Sequence, residues 1–236
     1  MRLSLLILSF VLAIRALLAG TPENPAGDPG AFVGSFRMGI HIFKKGTQET
    51  TSTMDIMCWS TGEKLLYEVT MPNGQRKIRM LTDLVDDTNY ALIEQEGGAH
   101  MAMRIKRPEA TKPGANDGER PRITVTQEMR TIGGRTCTKV IAENAEGTWT
   151  GWVAMELKSP FVDMARAFEG QAAQRIKHVN AEVPGFPLEY EWVPATGEDR
   201  MVCTIKDLVV GTVDGKLFDL GGYQVMDMPS FGIPQR

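Results

Sequence analysis

The chain has 236 residues, of which 42% are hydrophobic and 23% are charged, and its formal net charge is −3. This mildly acidic balance gives no electrostatic reason to bind nucleic acid, whose recognition rests on clustered Lys and Arg. The length fits one large β-rich domain or two small ones, and the apolar content supports a packed core.

The first twenty residues have the pattern of a secretory signal peptide. A short cationic start at Met1-Arg2 precedes an apolar run from Leu3 to Ile14, and small residues follow near a cleavage site. The run is too short to span a bilayer, which needs about twenty apolar residues. The pattern predicts export to the periplasm or the medium, with residues 1–20 as signal peptide and no transmembrane span after its removal. Residues 21–31 are predicted to be a flexible lead-in, rich in Pro and Gly.

Alternating apolar and polar residues predict strands through the next part of the chain. The first is 36–43, with Phe36, Met38, Ile40 and Ile42 on one face. Five more strands are predicted at 54–59, 65–71, 77–83, 89–94 and 100–105. Pro72-Asn73-Gly74 predicts the hairpin turn between two of them.

A long polar loop is predicted at 107–121, where prolines and glycines stand among charges. Strands resume at 123–130, 135–143 and 148–155, with Gly133-Gly134 as a turn. Ser159-Pro160 then predicts a helix start. Its apolar face carries Phe161, Met164, Phe168, Ala172 and Ile176. Strands return at 188–193 and 200–213, and the tail at 218–233 has too much turn chemistry for regular structure.

These elements predict a mainly β fold in which residues 32–236 form a single β-rich domain. The expected architecture is a curved antiparallel sheet, or open half-barrel, of about nine to eleven strands. One amphipathic helix is expected to pack on its concave face.

Three cysteines, Cys58, Cys137 and Cys203, are an odd number for an exported protein. Their spacing matches no zinc site. Two states are open: one disulfide, with Cys137–Cys203 as the preferred pair, or three free thiols.

Three segments together resemble a family of exported bacterial envelope proteins of uncharacterised function, a domain of unknown function. They are the Thr131–Val140 strand start, the Thr148–Val153 strand that leads into the helix, and Gly185–Leu188 before a closing strand pair. Proteins of this type are similar in layout to the lipoprotein-carrier (LolA-like) half-barrel. That resemblance implies an apolar cavity between the concave face of the sheet and its helices.

The candidate binding site is this cavity. Its lining is expected from Met38, Ile40, Tyr67 and Val69 of the strands and from Phe161, Met164 and Phe168 of the helix. The chain contains fourteen methionines, whose flexible side chains adapt to varied apolar partners. The predicted function is a non-enzymatic periplasmic binding protein for a lipid, an acyl chain or a lipidated protein. The alternative is a structural or interaction module of the cell envelope without a small-molecule ligand, with contacts through the 107–121 loop or exposed strand edges.

A metal site is a weaker hypothesis. His100, Met101 and Met103 offer an imidazole and two thioethers, which suit Cu(I), and Met226-Asp227-Met228 repeats the pattern near the end. Short Met-x-Met pairs arise by chance in a chain rich in Met, so we expect no metal. The sequence has no Gly-x-Ser-x-Gly, His-Glu-x-x-His or phosphate-binding Gly loop, and we expect neither a catalytic site nor a cofactor.

Overall fold

The computed structural model describes residues 30–70, 77–94, 100–106, 121–167, 183–197 and 199–227. The predicted signal peptide, most of the lead-in, the 72–74 turn, most of the 107–121 loop and the helix residues from Phe168 onward lie outside the described residues. None of the helices in the described part is long and apolar enough to cross a membrane.

Twelve strands form one curved, open sheet, as a half-barrel requires. Their bounds are β1 Gly34–Phe43, β2 Thr50–Ser60, β3 Lys64–Thr70, β4 Lys77–Asp83, β5 Thr88–Glu94, β6 His100–Lys106, β7 Arg122–Ile132, β8 Arg135–Asn144, β9 Gly147–Ala154, β10 Phe186–Pro194, β11 Arg200–Val210 and β12 Gln224–Asp227. The helix α1 spans Phe161–Ala167, and a 3₁₀ turn spans Gly215–Phe218. The predicted mainly β half-barrel is confirmed, with slightly more strands than expected.

The strand order across the sheet is β12-β6-β5-β4-β3-β2-β1-β11-β10-β9-β8-β7. Neighbouring strands pair antiparallel except β12, which pairs parallel with β6. Short turns join most neighbours. Gly133 and Gly134, between β7 and β8, both adopt positive φ, as the predicted two-residue turn demands.

The prediction of an irregular tail is wrong. Residues 224–227 form β12, and 215–218 form the 3₁₀ turn. β12 is hydrogen-bonded to β6, more than a hundred residues earlier in the chain. The residues near β12 in the sequence therefore do not indicate this pairing. The last long strand also ends at Val210 rather than at residue 213, and Gly211 follows it with a positive φ.

The two faces of the sheet pack against different segments. The inner, concave face holds the main core, to which α1 contributes Phe161 and Met164. On the outer face, the C-terminal segment 213–223 packs Phe218 and its neighbours against Leu66, Leu81 and Leu92.

Candidate functional site

Six of the seven predicted cavity residues lie in one apolar cluster on the inner face. The described members are Met38, Ile40, Tyr67, Val69, Phe161 and Met164. Ile40 and Val69 are half-buried and the other four are buried. Phe168 lies outside the described residues.

Phe161 anchors α1 to the sheet through aromatic contacts. Its ring meets Phe186 at 5.6 Å, Tyr190 at 6.0 Å and Phe36 at 6.5 Å between centroids, all close to edge-on. Such edge-to-face pairs are favourable because the positive ring edge meets the negative ring face. This part of the inner face is therefore a filled aromatic core.

Burial falls from buried to half-buried to exposed along a row of inner-face residues that runs away from this core. Successive strand pairings place one residue of each strand in register, and the row is Phe36, Cys58, Tyr67, Met80, Ala91, Met103 and Met226. Phe36 and Tyr67 are 1% and 2% exposed, Met80, Ala91 and Met103 are half-buried, and Met226 is 47% exposed. The core thus opens toward the β12 edge.

A second row repeats this gradient. Met38, Ile56, Val69 and Ile78 are partners across β1 to β4. Met38 and Ile56 are buried, Val69 is half-buried and Ile78 is 46% exposed. We call the half-buried and exposed apolar inner-face residues of β3 to β6 and β12 the apolar shelf: Val69, Ile78, Met80, Ala91, Ile93, Met101, Met103, Ile105 and Met226. The uncharged Gln224 lies on the same face, beside Met101.

Charge is absent from the shelf. Side chains alternate between the two faces along each strand. The registers accordingly place the charged residues and the histidine of this part of the sheet on the outer face. This holds for every described Asp, Glu, Lys, Arg and His in 36–40, in 54–60 and in β3 to β6 and β12. An uncharged, partly exposed apolar surface of this extent is typical of a binding site for an apolar partner.

Buried polar groups border the shelf on one side. Thr82 donates a 2.8 Å hydrogen bond from its hydroxyl to the side-chain oxygen of Asn89, and both residues are buried on the inner face. In the same row of residues, Ser60 donates to the backbone oxygen of Phe32 at 2.7 Å. These hydrogen bonds hold the polar groups at this border without placing a charge there.

The charged groups behind the shelf form a network on the outer face. Arg79 pairs with Glu94 and contacts Glu68, and the Tyr223 hydroxyl donates to Glu94 at 2.8 Å. The hydrogen bond from Tyr223, followed by the contact with Arg79, lowers the pKa of Glu94. Burial and the bond to Glu94 raise the pKa of Tyr223. The network fastens the C-terminal segment to the outer face and leaves the inner face uncharged.

The predicted metal candidates separate between the two faces. Met101 and Met103 lie on the inner face, whereas His100 lies on the outer face and its ring is 5.5 Å from that of Tyr223. Among the described residues, no group of three or more His, Cys, Asp or Glu is placed to hold a metal ion. The pairing of Met103 with Met226, which are register partners in β6 and β12, was not predicted from the sequence.

All three cysteines are free and buried thiols, the second of the two states left open above. Burial raises the pKa of Cys203 to about 12, and burial also raises the pKa of Cys58 and of Cys137. A thiol with a raised pKa stays protonated and is a poor nucleophile.

Several shelf residues were not among the predicted site residues. The alternation in β4 and β5 could have supplied Ile78, Met80, Ala91 and Ile93, because it assigns them to the apolar face of their strands. Met226 carried no such signal, because its segment was predicted to be irregular.

No protein-family model matches this sequence, and no curated protein matches it. Solved structures match at low similarity. The structure of PNGF-II is 12% identical with a TM-score of 0.39, and the match covers 84% of this chain and 31% of that one. The Pseudomonas aeruginosa MucA/MucB complex is 10% identical with a TM-score of 0.41, covering 81% of this chain and 58% of that one. The Mycobacterium tuberculosis lipoprotein LppX is 10% identical with a TM-score of 0.35, covering 75% of this chain and 86% of that one.

The chain spans about a third of the length of the first structures it matches, 31% and 32% of those chains. At these identities and TM-scores, the similarity assigns neither a family nor a function. The half-barrel layout implied by the sequence resemblance is present, and the functional assignment rests on the residues of this chain.

Proposed function

We propose that this protein is a non-enzymatic binding protein that holds an acyl chain, of a lipid or of a lipidated protein, along the apolar shelf. The observation that carries the proposal is the pair of register rows, in which burial falls from the core to Met226 of β12 in one row and to Ile78 of β4 in the other. They give an apolar surface that is continuous with the core and open to solvent at its other end.

The dimensions of the shelf suit a chain-like ligand. It crosses five adjacent strands, β3 to β6 and β12, which at about 4.8 Å per strand spacing gives a length of about 19 Å. Each methylene buried there contributes about 0.8 kcal/mol. A chain of about ten methylenes would gain about 8 kcal/mol from burial before the cost of immobilising it.

The side chains on the shelf also suit an apolar ligand of variable shape. Met80, Met101, Met103 and Met226 supply flexible, polarizable thioethers. A charged substrate would find no counter-charge on this face. The leader pattern in the sequence supports a periplasmic or secreted location, where lipids and lipidated proteins have to be shielded from water.

The test is binding of a fluorescent fatty acid to the full chain, expressed with its leader and purified from a periplasm. Ile78→Asp places a charge on the shelf at a side chain that is already 46% exposed. Val125→Asp is the matched control, since Val125 is also β-branched and is 51% exposed on β7, at the opposite edge of the sheet. We expect Ile78→Asp to weaken binding at least about tenfold, which corresponds to 1.4 kcal/mol, and Val125→Asp to leave it unchanged.

Native mass spectrometry of the same preparation gives a second readout. An added mass that extracts into organic solvent supports the proposal and identifies the ligand class. A bare protein that also fails to bind the fatty acid would overturn it, and would favour the alternative of an envelope interaction module. Equal binding by both Asp variants would place any ligand away from the shelf.

A further inference from the structure

Three methionines from two distant parts of the sequence lie on one face of the sheet. Met101 and Met103 belong to β6, and Met226 belongs to β12. The parallel pairing of these strands sets Met103 directly beside Met226. Met-x-Met pairs arise by chance in a Met-rich chain, whereas the strand pairing brings the thioethers of Met101, Met103 and Met226 to one place.

The spacing lets these side chains converge. Paired strands lie about 4.8 Å apart, and residues two apart on one strand are about 6.6 Å apart on the same face. Met80 lies in the same row but two strands from Met103, with Ala91 between them, so it is too far away to share an ion with Met226.

The surroundings select the kind of ion that could bind. Thioethers are soft, uncharged ligands that favour Cu(I), whereas Ca²⁺ and Mg²⁺ prefer oxygen ligands. No carboxylate or imidazole of the described neighbouring strands faces this side, and His100 points to the outer face. Met226 is 47% exposed and Met101 and Met103 are half-buried, so an ion can reach the sulfur atoms from solvent.

We propose that Met101, Met103 and Met226 bind Cu(I) through their thioether sulfur atoms. The site lies at the open end of the apolar shelf. It depends on sulfur chemistry rather than on apolar burial, so it stands independently of the proposed acyl-chain function.

Substitution of Met by Leu separates these two kinds of chemistry. Leu keeps the volume and apolarity of Met and removes only the sulfur. The test is anaerobic competition for Cu(I) against a chromophoric Cu(I) chelator, with the double variant Met103→Leu/Met226→Leu. Met129→Leu and Met155→Leu are matched controls, because these methionines are 68% and 39% exposed at other places in the fold.

We expect the double variant to lose at least about tenfold in Cu(I) affinity, since even a lost outer-shell partner can cost a metal site that much. The two controls should bind as the unmodified chain does. X-ray absorption of the Cu(I)-loaded protein should show sulfur ligands and no nitrogen ligand, and this signal should fall in the double variant. Urea unfolding of each variant checks that the fold is intact.

Two results would overturn the proposal. One is a chain that cannot compete with the chelator. The other is a double variant that retains full Cu(I) affinity, which would place the ion elsewhere in the chain. Fatty-acid binding, measured on the same variants, should survive the change to Leu. Failure of the copper site therefore leaves the acyl-chain proposal standing, and failure of acyl binding leaves the copper result unaffected.

Discussion

Phe161→Ala tests whether α1 is held on the inner face by its aromatic contacts. Phe161 is 5% exposed, and its ring packs against Phe36, Phe186 and Tyr190. Truncation of a buried Phe to Ala costs about 3–5 kcal/mol, through lost burial and the cavity left behind. Most of the stability of a helix in a folded protein comes from the packing of its apolar face, which in α1 carries Phe161 and Met164. We expect a loss of about 4 kcal/mol in the free energy of unfolding.

The measurement is urea unfolding followed by tryptophan fluorescence. Trp149 is a suitable probe because it stacks on Tyr190, one of the rings that Phe161 contacts. Val162→Ala is the matched control on the same helix: Val162 is 37% exposed, and its truncation should cost no more than about 0.5 kcal/mol. A loss below about 1 kcal/mol for Phe161→Ala would refute the reasoning, because removal of a buried ring with three such contacts should lower the free energy of unfolding by more than that.

Two other predictions concern pH and close packing. The pKa of Glu94 is lowered in the folded chain, chiefly by the hydrogen bond from Tyr223, so its stabilising effect is present above the ordinary pKa of a Glu and is lost as pH falls through the lowered value. Urea unfolding should therefore show a stability gap between the unmodified chain and Glu94→Gln that narrows as pH falls from about 6 to about 3, and a constant gap would contradict this assignment. Gly151→Ala should cost about 1–3 kcal/mol, because a Cβ there would lie 2.2 Å from the ring of the buried Trp149. Gly222→Ala, where nothing lies within 4 Å, should change the thermal midpoint little, and equal shifts for the two variants would contradict the packing argument.

The sequence was sufficient to predict most of the sheet because its strands carry a local period. In β4, alternation sends Arg79 and Leu81 to one face and Met80 and Thr82 to the other, and the predicted bounds 77–83 are those of the strand. The same period identified Met38, Ile40, Tyr67 and Val69 as residues of one face. It is a property of each strand by itself, so it needs no knowledge of the neighbours.

Alternation could not reveal which residues of different strands become partners. The four residues of β12 are all exposed and have no strong local signal, and their strand exists because β6 offers its edge. The grouping of His100 with Met103 has a different cause, because positions three apart on one strand face opposite sides of a sheet and alternation alone separates them. Partner identity is set by long-range pairing, and the shelf and the thioether group both depend on it.

The unequal covering of the two faces is the strongest physical argument for a binding surface. The chain packs its C-terminal segment, with Phe218, against the outer face of the same strands whose inner face forms the shelf. The covered face carries the charged network around Arg79 and Glu94, which water could solvate, whereas the uncharged face retains half-exposed Met and Ile side chains. The C-terminal segment therefore removes the outer-face residues Leu66, Leu81 and Leu92 from water, whereas the described Met and Ile side chains of the shelf stay partly exposed. Each apolar Å² that a ligand removed from water on the shelf would contribute about 25 cal/mol to its binding.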